Sequence, residues 1–429
     1  MKKLYRNVVW LLLAVFVFTV GSGFSVRKAA ALPAVGETLS GFRAERVERL
    51  SVPGGWATYL THETTGAEVV YIEDTGASPA FSLSVRTAGA VRRLAAAADT
   101  PEELLRGAEA LLDALFSGAE ETTAPIPDGS AAYRAFLGVL LPGSDAAGSG
   151  EPEQPMSPAN TLAVVCAGAD TGGKMLALLN KAFSSVPAGD ALAPDAGYRR
   201  MEKAASETVS VPAAEADGAG VYFGIVCPRS GEWTRPRLAA LAAAMNRGGS
   251  VLEKRVQESL PGAAVTCGTA SAGPDAALWF FAPGLGEKDA EPFRSAVLAA
   301  LRSVAENGLS AQTVETLAAA QRLEELTFPE REDLGEAFCA GFAAAWAHGG
   351  AAEYPAQLAE AWNAAALFQD GSCAEVMREE LLAGDLTALV TVVPEPPAEP
   401  EPPAEPEPPA EPEPSPEPEK AETMEELPQ

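Results

Sequence analysis

The sequence predicts an α+β fold that combines β-hairpins with amphipathic helices, followed by a disordered C-terminal tail. Short apolar segments flank turn residues, as at 58–60 and 69–72 around the turn 63–66, and this pattern predicts a β-hairpin. Other segments carry apolar residues at helical spacing behind capping residues, as from Thr100 onwards. Hairpins mixed with helices favour α+β over a doubly wound parallel sheet.

Composition narrows the class of partner. Hydrophobic residues make up 47% of the 429 residues, enough for a sizeable core in two or three domains. The formal net charge is −28. Such acidity argues against nucleic-acid binding, which needs a basic surface to replace counterions, and against docking on anionic lipid by charge alone. The simplest interpretation of the acidity is solubility.

Residues 1–31 predict a signal peptide. Basic residues stand near the start, an apolar run covers 8–24, and three alanines at 29–31 form a small-residue cleavage site. The run is at the short end for a spanning helix, which needs about 20 residues. Arg27 and Lys28 are unusual after a signal segment, so an uncleaved inner-membrane anchor is the alternative. Either interpretation places the body outside the cytoplasm, in the periplasm or secreted.

Residues 394–429 predict a disordered tail rich in proline and glutamate. The hexad Pro-Pro-Ala-Glu-Pro-Glu runs three times over 396–413, and a degenerate copy extends to Glu419. Proline removes backbone donors and the glutamates repel one another, so the segment predicts an extended polyproline spacer without a core. It either solubilises the protein or serves as a spacer that reaches through the cell envelope or towards a partner.

The first predicted domain covers residues 32–205. Behind the hairpin, Phe81, Leu83 and Val85 alternate with serines, which predicts a half-buried antiparallel strand. Thr100 then opens a helix with a capping box and proline at its first position.

A polar, Gly-rich loop follows at about 142–157. Residues 162–165 predict a short buried strand, and Asp170 is predicted to cap the helix behind it.

The second predicted domain covers residues 206–393 and again alternates strands with helices. Its predicted elements are, in order, a strand at 221–226, a helix opened by Pro236, a second helix behind the capping box at Ser250, a hairpin at 264–269 and 277–281, two helices broken at Asn307 and Gly308, and a closing strand at 386–393.

The five cysteines are Cys166, Cys227, Cys267, Cys339 and Cys373, an odd count without a close pair. No Cys-x-x-Cys occurs, so a structural zinc site is not supported. The first three lie in or beside apolar runs, which predicts buried thiols that behave as small hydrophobes. One disulfide is compatible with export, and the sequence does not choose its partners.

In its N-terminal part the chain resembles the insulinase-like (pitrilysin) metallopeptidases, and within them the presequence-protease branch. The matching segments are GF at 41–42, LTHETTGAEV at 60–69 and FSLSVRT at 81–87. Members of this branch open with a Gly-Phe, a His-x-x-Thr-Gly-Ala hairpin and a Phe-x-x-x-x-Arg-Thr strand.

Later segments continue the resemblance in the same order, at 157–162, 248–250, 307–310 and 390–394. It implies two related insulinase-like domains, each an antiparallel sheet backed by helices. Full members have two such halves that close into a chamber, and this chain supplies one half.

One departure from the family pattern decides the predicted function. The family's zinc motif, His-x-x-Glu-His, places two imidazoles and a glutamate base on one helix and should follow Arg86 and Thr87. Residues 88–95 contain no histidine and no carboxylate, and the stretch to residue 158 is short for the family. His62 matches the hairpin histidine, which is not a zinc ligand there. The helix that would carry the ligands is therefore expected to be missing.

No catalytic, cofactor-binding or metal-ligating residue is predicted elsewhere. Residues 168–174 fit Gly-x-x-x-x-Gly-Lys, but the next residue is Met175 instead of the Ser or Thr that holds magnesium. His348 stands beside two glycines, near an expected helix end. Trp346 and Trp362 lie in Ala-rich helices and are expected in the core.

Three hypotheses follow. In the first, the chain is an exported, catalytically inactive insulinase-like homologue that binds a catalytic insulinase-like subunit or an extended peptide along a sheet edge. In the second, it is the non-catalytic half of a heterodimeric zinc metallopeptidase that degrades peptides. In the third, it is a structural envelope protein that uses the Pro/Glu tail as a spacer. In none of them does the chain itself hold a cofactor.

Overall fold

The computed structural model describes residues 32–52, 55–73, 76–87, 90–116, 130–142, 157–193, 201–213, 217–228, 234–272, 275–369 and 373–395. The predicted signal peptide, most of the Gly-rich loop and nearly all of the predicted tail lie outside these residues.

Seven strands form the first sheet, in the order β1-β2-β3-β4-β7-β5-β6. The strands are β1 (Thr38–Leu39), β2 (Phe42–Arg49), β3 (Trp56–His62), β4 (Glu68–Glu73), β5 (Ala80–Thr87), β6 (Ala90–Ala97) and β7 (Thr161–Ala167). Neighbours are antiparallel except β4 and β7, which are parallel. The hairpin predicted around residues 63–66 is confirmed as β3–β4.

Five strands form the second sheet, in the order β10-β11-β9-β12-β8. The strands are β8 (Ala205–Val211), β9 (Gly220–Cys227), β10 (Thr266–Ala272), β11 (Asp275–Pro283) and β12 (Thr387–Pro394). Here the parallel pair is β12 with β8, and the other pairs are antiparallel. The predicted hairpin β10–β11 and the closing strand are both confirmed.

The two sheets share one topology. In the first, β7 lies between β4, to which it is parallel, and β5, to which it is antiparallel, and β6 flanks β5. In the second, β12 lies in the same way between β8 and β9, and β11 flanks β9. In both, the last strand of the sheet in sequence lies between two strands that are consecutive in sequence. The predicted α+β fold with two related, mainly antiparallel units is thereby confirmed.

Helices cover both faces of each sheet. They are α1 (Pro101–Phe116), α2 (Ala131–Leu140), α3 (Gly172–Ser184), α4 (Arg235–Met245), α5 (Val251–Ser259), α6 (Glu287–Asn307), α7 (Ala311–Thr327), α8 (Leu334–His348), α9 (Tyr354–Asn363) and α10 (Cys373–Val376). Buried leucines of α1 and the apolar face of α3 pack on the first sheet. Helices α4 to α7 form the core of the second sheet.

The opposite face of each sheet is covered by a helix from the other half of the chain. Helix α8, between β11 and β12, packs through Phe338, Phe342 and Trp346 on the first sheet. Helix α2, between β6 and β7, packs through Phe136 and Leu140 on the second sheet. The two halves therefore exchange helices, and neither sheet is covered on both faces by its own segment alone.

Local signals within these elements are mostly confirmed. The backbone N–H of Glu103 donates to Thr100 Oγ1 at 3.3 Å, and that of Glu253 donates to Ser250 Oγ at 3.2 Å, so both predicted caps form. Gly308, at the predicted break between helices, has φ of 71°. Helix α2 was not predicted, although Ser130 is a favoured N-cap residue and its Oγ accepts from the backbone N–H of Tyr133 at 3.2 Å.

The prediction that β5 is half-buried is wrong. Ser82 and Ser84, expected to face solvent, are both 0% exposed. Helix α8 lies across them, and Ser82 Oγ donates to the carbonyl oxygen of Cys339 at 3.5 Å. Alternation of polar and apolar residues marks two different faces, but it does not show whether a distant helix covers the polar one.

The described residues include no helix with both the length and the apolar character that crossing a bilayer requires.

Close approach of α8 to the first sheet depends on Gly335. A Cβ at this position would overlap the carbonyl oxygen of Ser78. We expect Gly335→Ala to destabilise the protein by about 1–3 kcal/mol through overpacking, although alanine is the better helix former. The free energy of unfolding in urea measures the effect. Gly248→Ala is the control, because nothing lies within 4 Å of its added Cβ. Equal stability of the two variants would contradict the close approach.

Candidate functional site

A strand occupies the place where the family resemblance puts the zinc helix. Strand β6 pairs with β5 residue by residue, from Thr87 opposite Ala90 to Ala80 opposite Ala97. Successive side chains of a strand point to opposite faces, whereas the zinc motif needs two imidazoles on one helical face. The two connecting residues, 88 and 89, lie outside the described residues.

His62 is a buried part of the scaffold, with 1% of its surface exposed. Its Nε2 lies 2.9 Å from Asn180 Oδ1 and its Nδ1 lies 2.7 Å from Thr65 Oγ1. Because the amide oxygen only accepts, Nε2 carries the proton and Nδ1 accepts from the threonine hydroxyl. Its ring centroid lies 4.8 Å from that of Phe42 and 5.9 Å from that of Phe183. The imidazole therefore ties the hairpin to α3.

The second histidine lies elsewhere. His348 is the last residue of α8, near a helix end as predicted, and its Nε2 lies 3.3 Å from Ser271 Oγ in β10. The two imidazoles contact different sheets and share no site. Across the described part of the chain, no group of three or more His, Cys, Asp or Glu side chains is arranged to hold a metal ion.

The cysteines whose side chains are described are buried. They are Cys166, Cys227, Cys267 and Cys339, and the side chain of Cys373 lies outside the description. The prediction of buried thiols is confirmed for the first three. Burial raises the pKa of the Cys227 and Cys339 thiols to about 12, and that of Cys267 also rises because of burial. Thiols held neutral in this way are poor nucleophiles and poor metal ligands.

The stretch that fits a phosphate-binding loop is filled by core side chains. Gly172 is the first residue of α3, and a Cβ there would overlap the side chain of Leu32. Tyr71 Oη donates to the carbonyl oxygen of Gly168 at 2.8 Å. The prediction that Asp170 caps α3 is wrong: Asp170 lies in a 3-10 turn, and Thr171 holds the N-cap position. The turn packs against the core and offers no cradle for a phosphate.

A polar cluster joins α8 to the first sheet, and we call Glu68, Arg86 and Trp346 the arginine–tryptophan cluster. The guanidinium of Arg86 lies 4.1 Å from the centroid of the Trp346 ring, and its Nη2 donates to the Trp346 carbonyl oxygen at 2.8 Å. Trp346 Nε1 donates to Glu68 Oε1 at 2.8 Å. Burial lowers the pKa of Arg86, and the charge of Glu68 opposes this. The cluster holds α8 against the first sheet and contains no nucleophile.

Sequence reasoning found this cluster only in part. Trp346 was predicted in the core and is 2% exposed, and Trp362 likewise is 7% exposed. In the sequence, Arg86 stands out only as part of the motif that carries the resemblance, and Glu68 only as part of the hairpin. The available signal was Arg86, which lies on the same face of β5 as Ser82 and Ser84. If that face is buried, the arginine needs partners for its charge and its donors.

Comparison with a family model gives one match. Residues 154–321 match the model described as the peptidase M16 inactive domain. A comparison with curated proteins found no match.

Three of the solved structures with a similar fold are described as proteases from bacteria. The periplasmic protease PqqL from Escherichia coli aligns with a TM-score of 0.51 and 14% identity, over 88% of this chain and 50% of PqqL. A protease from Helicobacter pylori aligns with a TM-score of 0.51 and 13% identity, over 81% of this chain and 100% of that chain. A protein described as a predicted insulinase family protease from Yersinia pestis aligns with a TM-score of 0.51 and 13% identity, over 86% of this chain and 95% of that chain.

These identities establish similarity of fold. The chain spans about half the length of PqqL and nearly all of the other two. The sequence-based resemblance to insulinase-like peptidases is confirmed by the family match and the shared fold.

The role of His62 in the scaffold can be tested through its partner. We expect Asn180→Ala to destabilise the protein by about 1–3 kcal/mol, because it leaves the buried His62 Nε2 without an acceptor. Urea unfolding measures the change. Ser184→Ala, which removes a hydrogen bond to the same Asn180 oxygen from an exposed hydroxyl, is the control and should cost about 0.5 kcal/mol or less. If the two variants were equally stable, His62 would not anchor the hairpin.

Proposed function

We propose, from the insulinase-like fold and the match of residues 154–321 to a peptidase M16 inactive domain, that this chain is an exported, catalytically inactive peptidase homologue that acts by binding. Its partner is a catalytic insulinase-like subunit with which it closes a chamber, or an extended peptide. Export rests on the signal segment at 1–31 and places the protein in the periplasm or outside the cell.

The observation that carries this proposal is the β5–β6 hairpin. Residues 88–95 contain no histidine and no carboxylate, and from Ala90 onwards the chain is paired with β5 as a strand. Two of the three protein ligands that a catalytic zinc requires would have to come from this segment. The chain has two histidines: His62, in the first sheet, contacts Asn180 of α3, and His348, at the end of α8, contacts Ser271 of the second sheet.

A second candidate is the non-catalytic half of a heterodimeric zinc metallopeptidase. The half-length match to PqqL favours it, since one chain there spans about two copies of this length. In this case the partner supplies the zinc site and this chain supplies a wall of the chamber. The two candidates differ in whether the assembled complex cleaves peptides.

Zinc content and hydrolysis test the absence of catalysis. We expect the purified full chain to contain far less than one zinc per chain after dialysis, and to leave unstructured peptides uncleaved with or without added zinc. An active insulinase-like peptidase assayed in parallel, with and without a chelator, is the control. One tightly bound zinc per chain together with chelator-sensitive cleavage would overturn the proposal.

Capture from the native envelope tests binding. We expect the immobilised chain to retain a protein that carries His-x-x-Glu-His, and retention to persist when residues 394–429 are removed. Peptide cleavage by the captured complex would select the heterodimeric peptidase, and its absence would select the non-catalytic binder. If neither a zinc-motif protein nor an extended peptide is retained, both candidates fail.

A further inference from the structure

We propose that the chain binds a small anion between α8 and the β5–β6 hairpin, at a site formed by Ser84, Arg86 and Arg93. We call these three residues the anion site. The ligand class is a small inorganic anion or a carboxylate group. The inference is independent of the proposed function, because it rests on the packing of α8 against β5 and β6 alone.

The register of the hairpin brings the three residues together. Ser84 stands directly opposite Arg93, and Arg86 stands opposite Val91, two positions further along. Directly opposed residues have Cβ atoms about 4.5–5.5 Å apart and diagonal ones about 7–8 Å apart, so all three belong to one patch. The patch lies on the face that α8 covers, because Arg86 contacts Trp346 there.

Each of the three residues has a buried polar atom without a hydrogen-bond partner. These atoms are Ser84 Oγ, Arg86 Nε and Arg93 Nε. Ser84 is 0% exposed and Arg86 is 8% exposed, so bulk water does not reach either side chain freely. Buried donors left unpaired are costly, and native structures satisfy most of them with protein, water or an ion. Three such atoms in one patch point to a site for a hydrogen-bonding ligand.

The chemistry of the three atoms selects an anion. Both guanidinium Nε–H groups donate and carry positive charge, and the hydroxyl can donate as well. An anion accepts from all three and offsets the charge that burial penalises, whereas a water molecule would leave the charge in place.

The surrounding charge agrees with this assignment. Residues 80–97 contain three arginines and no acidic residue, within a chain whose net charge is −28. Glu68 partly offsets Arg86, but its Oε1 already accepts from Trp346 Nε1. Glu336, the acidic residue in the first turn of α8, is exposed. An anion at this site would fasten α8, which comes from the second half of the chain, to the first sheet.

Thermal unfolding of the full chain in anion titrations tests the site, with sodium chloride, sodium phosphate and sodium acetate as separate probes. A ligand that binds the folded state raises the unfolding midpoint as its concentration rises. We expect a saturable rise for the wild type. Arg93→Met keeps the apolar stem and should weaken the apparent affinity by at least about tenfold. Arg93 is chosen because Arg86 also holds Trp346.

Two further variants provide a second measurement and a control. Ser84→Ala should weaken binding less than Arg93→Met and gives a second measurement if that variant does not fold. Arg43→Met is the control, since Arg43 is an exposed arginine of β2 that pairs with Glu45, and it should respond to each salt as the wild type does. General salt effects are common to all four proteins and cancel in the comparison.

The probes distinguish the sources of the ligand. Saturable stabilisation by chloride or phosphate identifies a free inorganic anion. Stabilisation by acetate, and by a short peptide with a free C-terminal carboxylate but not by its amide, identifies a peptide carboxylate. Identical responses of the wild type and Arg93→Met to every probe would overturn the proposal and assign the three atoms to ordered water.

Discussion

Packing of α8 across β5 is the contact on which the rest of this structure depends. Gly335 lets the helix approach the backbone at Ser78, and the far end is held where Arg86 lies over Trp346. Between these ends, aromatic side chains of the helix fill the space above the first sheet. Without α8, the serine face of β5 would be open to water and the guanidinium of Arg86 would lose its main partners.

The reciprocal contact of α2 with the second sheet makes the exchange symmetrical. Gly224 of β9 leaves room for the side chains of Leu140 and Phe136 of α2. Gly335 of α8 likewise lets that helix approach the first sheet closely. Each sheet thus depends on a helix from the other half of the chain, so the two units are expected to unfold together. The boundary predicted near residue 205 separates the two sheets in sequence, while the helices cross it. As a division into domains it stays a prediction.

The same contact frames the functional interpretation. In the resembling peptidases a zinc helix follows the strand that corresponds to β5, whereas here β6 returns directly along β5 and α8 covers both strands. The hairpin is rich in arginine, and two of its buried polar atoms are guanidinium N–H groups, which can donate to an acceptor but have no lone pair for a metal ion. The place where the resemblance expects the zinc helix is taken up by the joint between the two halves.

The sequence by itself determined the local elements and the scarcity of histidine. Caps at Thr100 and Ser250, the hairpins and the strand alternation depend on residues a few positions apart, and the scarcity of histidine is a matter of composition. Only the tertiary structure decided that the polar face of β5 is buried, because Ser82 and the residue that covers it, Cys339, are 257 positions apart. A local pattern records which side chains share a face, and long-range packing decides what lies against it.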